Sequence, residues 1–98
     1  MSSISLNSEI VSSSNQVSTD VDGEAVILGL QSEEYFGLKD VGARIWEIIQ
    51  EPKTVKEILD LLLNEYEVEP ERCERDLLAL LQELVNEGLI EVKDEATP

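Results

Sequence analysis

Hydrophobic and polar positions first alternate along this 98-residue chain, then merge into an apolar run, then settle into helical spacing. Val17, Thr19 and Val21 take every second position up to an Asp22-Gly23 pair, and the almost wholly apolar run 25–30 follows. Asp-Gly between two strand-like runs is a strong hairpin signal, because both residues tolerate the positive φ of a tight turn. The alternation predicts a first strand with one covered face, and the apolar run predicts a central strand buried on both. A turn over Gln31, Ser32 and Glu33 returns the chain through Glu34, Tyr35, Phe36, Gly37 and Leu38 as a third strand at the sheet edge. A shorter strand-like piece, Glu9-Ile10-Val11, precedes the meander.

From Asp40 the period changes. Val41, Ile45, Trp46, Ile48 and Ile49 recur at helical spacing behind an Asp N-cap, and Pro52 ends the segment. Thr54 with Glu57 forms a capping box ahead of Val55, Ile58, Leu59, Leu62 and Leu63, which predicts a second helix. Pro70 suits the first turn of a third helix, and Gly88 stops it. Residues 89–92 read as a short closing strand. The fold class is therefore α+β: a three-stranded antiparallel sheet followed by three helices, resembling a winged helix-turn-helix.

The third helix has an unusually wide apolar arc. With Leu77 at zero and about 100° per residue, Leu81, Val85 and Leu78 lie on one side and Leu84, Cys73 and Leu80 on the other, spanning about 160° in all. A single buried layer needs about 100°. Either the whole helix is sunk in the core, or one flank packs on the other helices while the second faces a groove.

Composition narrows the partners. A hydrophobic fraction of 42% supports a folded unit. Acidic residues number 22 against 7 basic, with no histidine, for a net charge of −15. That charge repels nucleic-acid phosphates and anionic membrane surfaces and favours a basic or neutral partner, besides keeping the surface soluble. The two arginines of the third helix, Arg72 and Arg75, sit among acids at its start, the wrong electrostatics for a DNA-reading helix. Eight of nine serines fall within the first eighteen residues, so 1–14 reads as a polar, partly mobile segment, 15–93 as the domain and 94–98 as a tail. No apolar run approaches the roughly 20 residues of a membrane span, and the N-terminus lacks signal-peptide organisation, so the expected location is the cytoplasm.

The chemistry of catalysis is missing from the pattern. Cys73 has no imidazole to activate it and stands among Glu71, Glu74 and Asp76, which suppress thiolate formation. The acidic stretch 64–71 lacks the loop glycine and oxygen spacing of an EF-hand, and Ser32 lacks the Asp-Ser-Leu context of an acyl carrier protein. No metal site, cofactor or catalytic residue is expected.

Taken in order, "DGEAVILGLQSEEYFGLKDVGARIWEII", "TVKEILDLLLNEYEV" and "RDLLALLQELVNEGLI" resemble the PqqD family of peptide-binding chaperones, the recognition elements of ribosomally made, modified peptides. The resemblance implies a small winged-helix-like domain that binds the leader segment of a precursor peptide and presents its core segment to modifying enzymes. A stand-alone acidic chain of this length is similar to the leader-binding proteins of lasso-peptide pathways. Those work beside a separate leader peptidase and a separate cyclase. The alternatives are a chaperone for a radical-SAM enzyme, as in pyrroloquinoline quinone synthesis, and a winged-helix interaction domain of a regulator. The family binds its leader as a strand added to the third β-strand, against the third helix. Carried onto this chain, the binding residues are Glu33, Glu34, Tyr35, Phe36 and Gly37 on the edge, and Cys73, Asp76, Leu77, Leu80 and Leu84 on the helix. Trp46 and Leu38 would support the edge strand from beneath. Lasso leaders in the family commonly offer a Tyr and a Pro, which an apolar pocket between Tyr35 or Phe36 and Leu77 or Leu80 would suit.

Overall fold

Turn and capping residues fix where the elements begin and end. In a computed structural model, which describes residues 4–93, the order is β1 (Glu9–Ser12), β2 (Gln16–Val21), β3 (Glu24–Gly29), β4 (Tyr35–Leu38), α1 (Val41–Ile48), β5 (Lys53–Thr54), α2 (Val55–Glu65), α3 (Pro70–Asn86) and β6 (Ile90–Lys93). Asp22 and Gly23 both hold positive φ (54° and 82°), and Asp20 Oδ1 accepts from the Gly23 N–H at 3.0 Å, fixing the expected hairpin turn. The Thr54–Glu57 capping box is present in both directions. At the end of α3, Gly88 takes φ 75° and its N–H donates to Val85 O, while Leu89 N–H donates to Leu84 O. This closes the helix with a Schellman motif.

Strands β2, β3 and β4 form the expected antiparallel meander, with β3 central. A second sheet, ordered β5-β1-β6, was not foreseen as a sheet. Residues set apart as polar N-terminal chain supply β1, and its Ile10 is fully buried in the core. Further bonds bind the same segment to the helices: Val55 N–H to Ser8 O (3.0 Å), Lys56 N–H to Leu6 O (3.1 Å) and Ser12 N–H to Ile49 O (2.9 Å). Residues 1–3 and the expected tail, 94–98, lie outside the described residues.

One core joins both sheets to the helices: Ile10, Ile27, Ile45, Ile49, Val55, Ile58, Leu62, Leu81 and Leu89 are all nearly or wholly buried. The faces of the meander differ from the sequence expectation. Cross-strand register sets Ser18 opposite Ile27 and Asp20 opposite Ala25. Ile27 and Ala25 are buried, so the helix-covered face of β2 carries the polar set. Val17 and Val21 stand on the uncovered face, 54% and 49% exposed. Likewise β3 is buried on one face only, with Val26 and Leu28 half-buried on the other. Trp46 fits this arrangement: its ring is buried on the helix-covered face and its Nε1–H donates to Ser18 Oγ at 3.1 Å. Trp46 thus lies beneath β2 rather than beneath β4. Asp40 occupies the N-cap of α1, but at φ 53° and ψ −123° its side chain makes no capping bond.

Candidate strand-binding groove

β4 pairs with β3 and packs on α1, and its second edge has no strand neighbour among the described residues. The Gly29 N–H donates to Glu34 O at 2.9 Å, which makes that pair a hydrogen-bonded one. Bonding then alternates along the register. Phe36 and Leu38 therefore bond toward Ile27 and Ala25, and the backbone groups of Tyr35 and Gly37 point to the open edge. Side chains alternate too: Phe36 and Leu38 lie half-buried on the helix side, and Tyr35 stands 71% exposed on the outer face.

Across from this edge runs α3, and between them lies a hollow of about 330 Å³ bordered by Tyr35, Phe36, Gly37, Leu38, Leu80, Glu83, Leu84 and Glu87. A larger hollow of about 520 Å³ continues along the first half of α3, lined by Val41, Gly42, Ile45, Leu62, Val68, Cys73, Leu77 and Leu80 with Glu67, Glu69, Arg72 and Asp76 around it. Leu80 borders both, so the two hollows adjoin along α3, each with apolar side chains at its floor and largely acidic ones around it. Arg72 is the cation of that rim, and its Nε stands 3.9 Å from Asp76 Oδ2 with both side chains exposed.

Eight of the ten residues expected at the site line one hollow or the other; Glu33 and Glu34 do not. Glu33 is part of the turn, at φ 60°, with its N–H donating to Gly29 O at 2.8 Å. The Glu34 N–H is held by Ser32 Oγ (3.2 Å), so the strand starts at Tyr35. The two flanks of α3 also need restating. Leu77, Leu81 and Leu84 form the buried seam, with exposures of 2%, 0% and 3%, while Leu78 and Val85 on one side and Cys73 and Leu80 on the other are half-buried. Leu77 and Leu84 are therefore core residues whose outer surfaces floor the groove, and Leu80 is the side chain it presents. The Cys73 thiol is pushed up by burial first and by the Asp76 charge second, so it stays protonated at neutral pH.

Sequence reasoning missed Val41, Gly42, Ile45, Leu62 and Val68 at the wide end and Glu83 and Glu87 at the narrow end. A signal existed for some. Val68 is an isolated apolar residue in an acidic loop, and Glu83 and Glu87 follow Leu80 by three and seven positions, on its own side of the helix. Arg44, which bonds Glu65 at 2.7 and 2.8 Å and Glu47 at 3.0 Å, ties α1 to α2 behind the wide hollow. No helix among the described residues is long and apolar enough to cross a membrane, and no group of side chains among them could hold a metal ion.

The chain is similar to known proteins in sequence and in overall fold. The family described as Coenzyme PQQ synthesis protein D (PqqD) matches residues 24–90. Among solved structures, "TbiB1 in Complex with the TbiA(beta) Leader Peptide" is 40% identical, covers 90% of this chain and 99% of its own, and superposes with a TM-score of 0.78. "Lasso peptide synthetase B1 complexed with the leader peptide" is 28% identical over 84% of this chain and 96% of its own, with a TM-score of 0.74. No curated protein matches the chain.

Proposed function

The chain belongs to the PqqD family, and from that membership we propose that it is a non-catalytic recognition module for the leader segment of a ribosomally synthesised precursor peptide. The observation that carries this reading is the unpaired β4 edge standing over an apolar groove on α3. Both solved relatives hold leader peptides. The leader adds a fourth strand beside β4, bonding to the outward backbone groups of Tyr35 and Gly37, and its groove-facing side chains settle against Phe36, Leu80 and the surfaces of Leu77 and Leu84. Backbone bonds supply affinity, and the hollows select side chains. Glu67, Glu69, Asp76, Glu83 and Glu87 favour a leader with Lys or Arg flanking its apolar anchors.

The protein's task is to hold and deliver. A precursor made on the ribosome is met in the cytoplasm, and its bound leader is passed to a separate leader peptidase and cyclase; one of the two solved relatives, a lasso peptide synthetase B1, supports lasso-peptide assembly as the pathway. A protonated Cys73 facing the groove serves as packing surface.

A proline scan of β4 tests strand addition. Proline at Tyr35 or Gly37 removes an outward donor, leaves the β3 ladder intact and should cost about 1 kcal/mol of leader affinity with folding preserved. Proline at Phe36 or Leu38 breaks pairing with β3 and should cost about 1–3 kcal/mol of stability. Normal leader binding by all four variants would remove strand addition from the mechanism.

A further inference from the structure

β2 is also an edge. Among the described residues it pairs only with β3, all of it but Gln16 is exposed, and it carries neither the lysine nor the proline that usually blunts an open strand. The Asp22-Gly23 turn closes on the Val21–Glu24 pair, so bonding to β3 falls to Val21, Thr19 and Val17. The backbone groups of Gln16, Ser18 and Asp20 therefore point to open space. Beneath this edge lies a cleft of about 510 Å³ between β2 and α1, with Asp20, Asp40, Arg44 and Glu47 among its lining. Arg44 is committed to Glu65 and Glu47, so the cleft presents net negative charge. On the opposite face of the same strand stand the exposed Val17 and Val21.

We propose that this edge is a second strand-acceptor site, taking an extended segment of a partner protein in which basic residues alternate with apolar ones. Successive side chains of an added strand point to opposite faces. One parity meets Asp20 and Asp40 in the cleft, and the other lies beside Val17 and Val21. A second copy of the chain is the poorer occupant, since it brings a net charge of −15 against −15. The cleft shares no lining residue with the groove beneath β4, so the proposal stands apart from leader binding.

The test uses two synthetic peptides of one composition, capped Lys-Val-Lys-Val-Lys-Val-Lys and capped Lys-Lys-Lys-Lys-Val-Val-Val, titrated against the full chain. The alternating peptide should bind about tenfold tighter than the blocked one, because only it matches both faces. It should slow hydrogen exchange at the amides of Gln16, Ser18 and Asp20 and not at Tyr35 and Gly37. The double variant Asp20→Asn, Asp40→Asn keeps the turn acceptor and a residue tolerant of positive φ, and should weaken binding about tenfold. Equal binding of the two peptides, no binding, or protection at Tyr35 and Gly37 instead would overturn the proposal. So would a dimer on size exclusion with those three β2 amides already protected, which would assign the edge to a second copy.

Discussion

The two open edges of the β2–β3–β4 sheet share an architecture and differ in chemistry. Each is a strand with a helix running beneath it and a hollow between. At β4 the hollow is floored by Phe36, Leu38, Leu80 and Leu84; at β2 it is lined by Ser18, Asp20, Asp40, Arg44 and Glu47, with Trp46 and Ala43 behind. The helix decides the difference. α3 turns half-buried Leu80 toward β4, whereas α1 tucks its apolar residues into the core and leaves Arg44 and Glu47 beside β2. An open edge is a generic capacity for strand addition; the helix under it sets which strand is accepted.

The largest expected effect separates the seam of α3 from its groove flank. Leu81→Ala, and Leu84→Ala beside it, should each cost about 2–5 kcal/mol of stability as core truncations. Leu80→Ala should cost less stability and instead about 1–2 kcal/mol of leader affinity. Denaturant titration set beside leader anisotropy checks the pair, and a Leu80→Ala protein that is unstable yet binds normally would erase the distinction between seam and flank.

Trp46→Phe sharpens the comparison from the β2 side. It deletes the donor to Ser18 Oγ while keeping an aromatic ring, and should cost about 1 kcal/mol of stability. Leader affinity should stay within about twofold, since the indole lies under the other edge. A loss of leader binding at full stability would mean the edges are coupled.

Salt gives a smaller effect with a clear sign. Association of a basic leader with the acid-rimmed groove should slow as ionic strength rises from about 50 to about 500 mM, because the screening length shrinks. A flat profile would leave the −15 charge as a matter of solubility.

The smallest effect concerns the α1–α2 tie. The Arg44 guanidinium holds the Glu65 carboxyl below its ordinary value of 4.5 by a direct hydrogen bond, and Glu65 in turn raises the arginine. A depressed carboxyl contributes stability above its unfolded value that is lost as pH falls through the folded one. The melting-temperature gap between the native chain and Glu65→Gln should therefore narrow as the pH falls below the ordinary carboxylate range and close once the lowered Glu65 carboxyl is protonated. A gap that persists at the acid end would assign the contact to packing.

Much of this protein is determined by sequence because the signals are local. The Asp22-Gly23 turn, the Thr54–Glu57 box, Pro70 and Gly88 each act through their own backbone and a few neighbours, so the elements between them follow directly. The excess width of the α3 arc left two readings open, a fully sunk helix or a flank facing a groove, and the family pattern pointed to β4 as the partner of such a flank. What only the tertiary structure decided are matters of which face meets which. Ser8 and Ser13 look like part of a polar serine-rich segment and Ile10 like part of a short strand within it, yet only contacts with β6 and the start of α2, far along the chain, bury all three. Val17 and Val21 carry a period-2 signal for a covered face, and the register with β3, which sets Ser18 and Asp20 beside buried Ile27 and Ala25, puts them on the other one. Leu77 and Leu80 stand three residues apart on one helix; the packing of α3 against α2 and β6 buries one and leaves the other half-buried at the groove. Periodicity fixes the spacing of an apolar set, but its orientation depends on long-range packing that no local window of sequence contains.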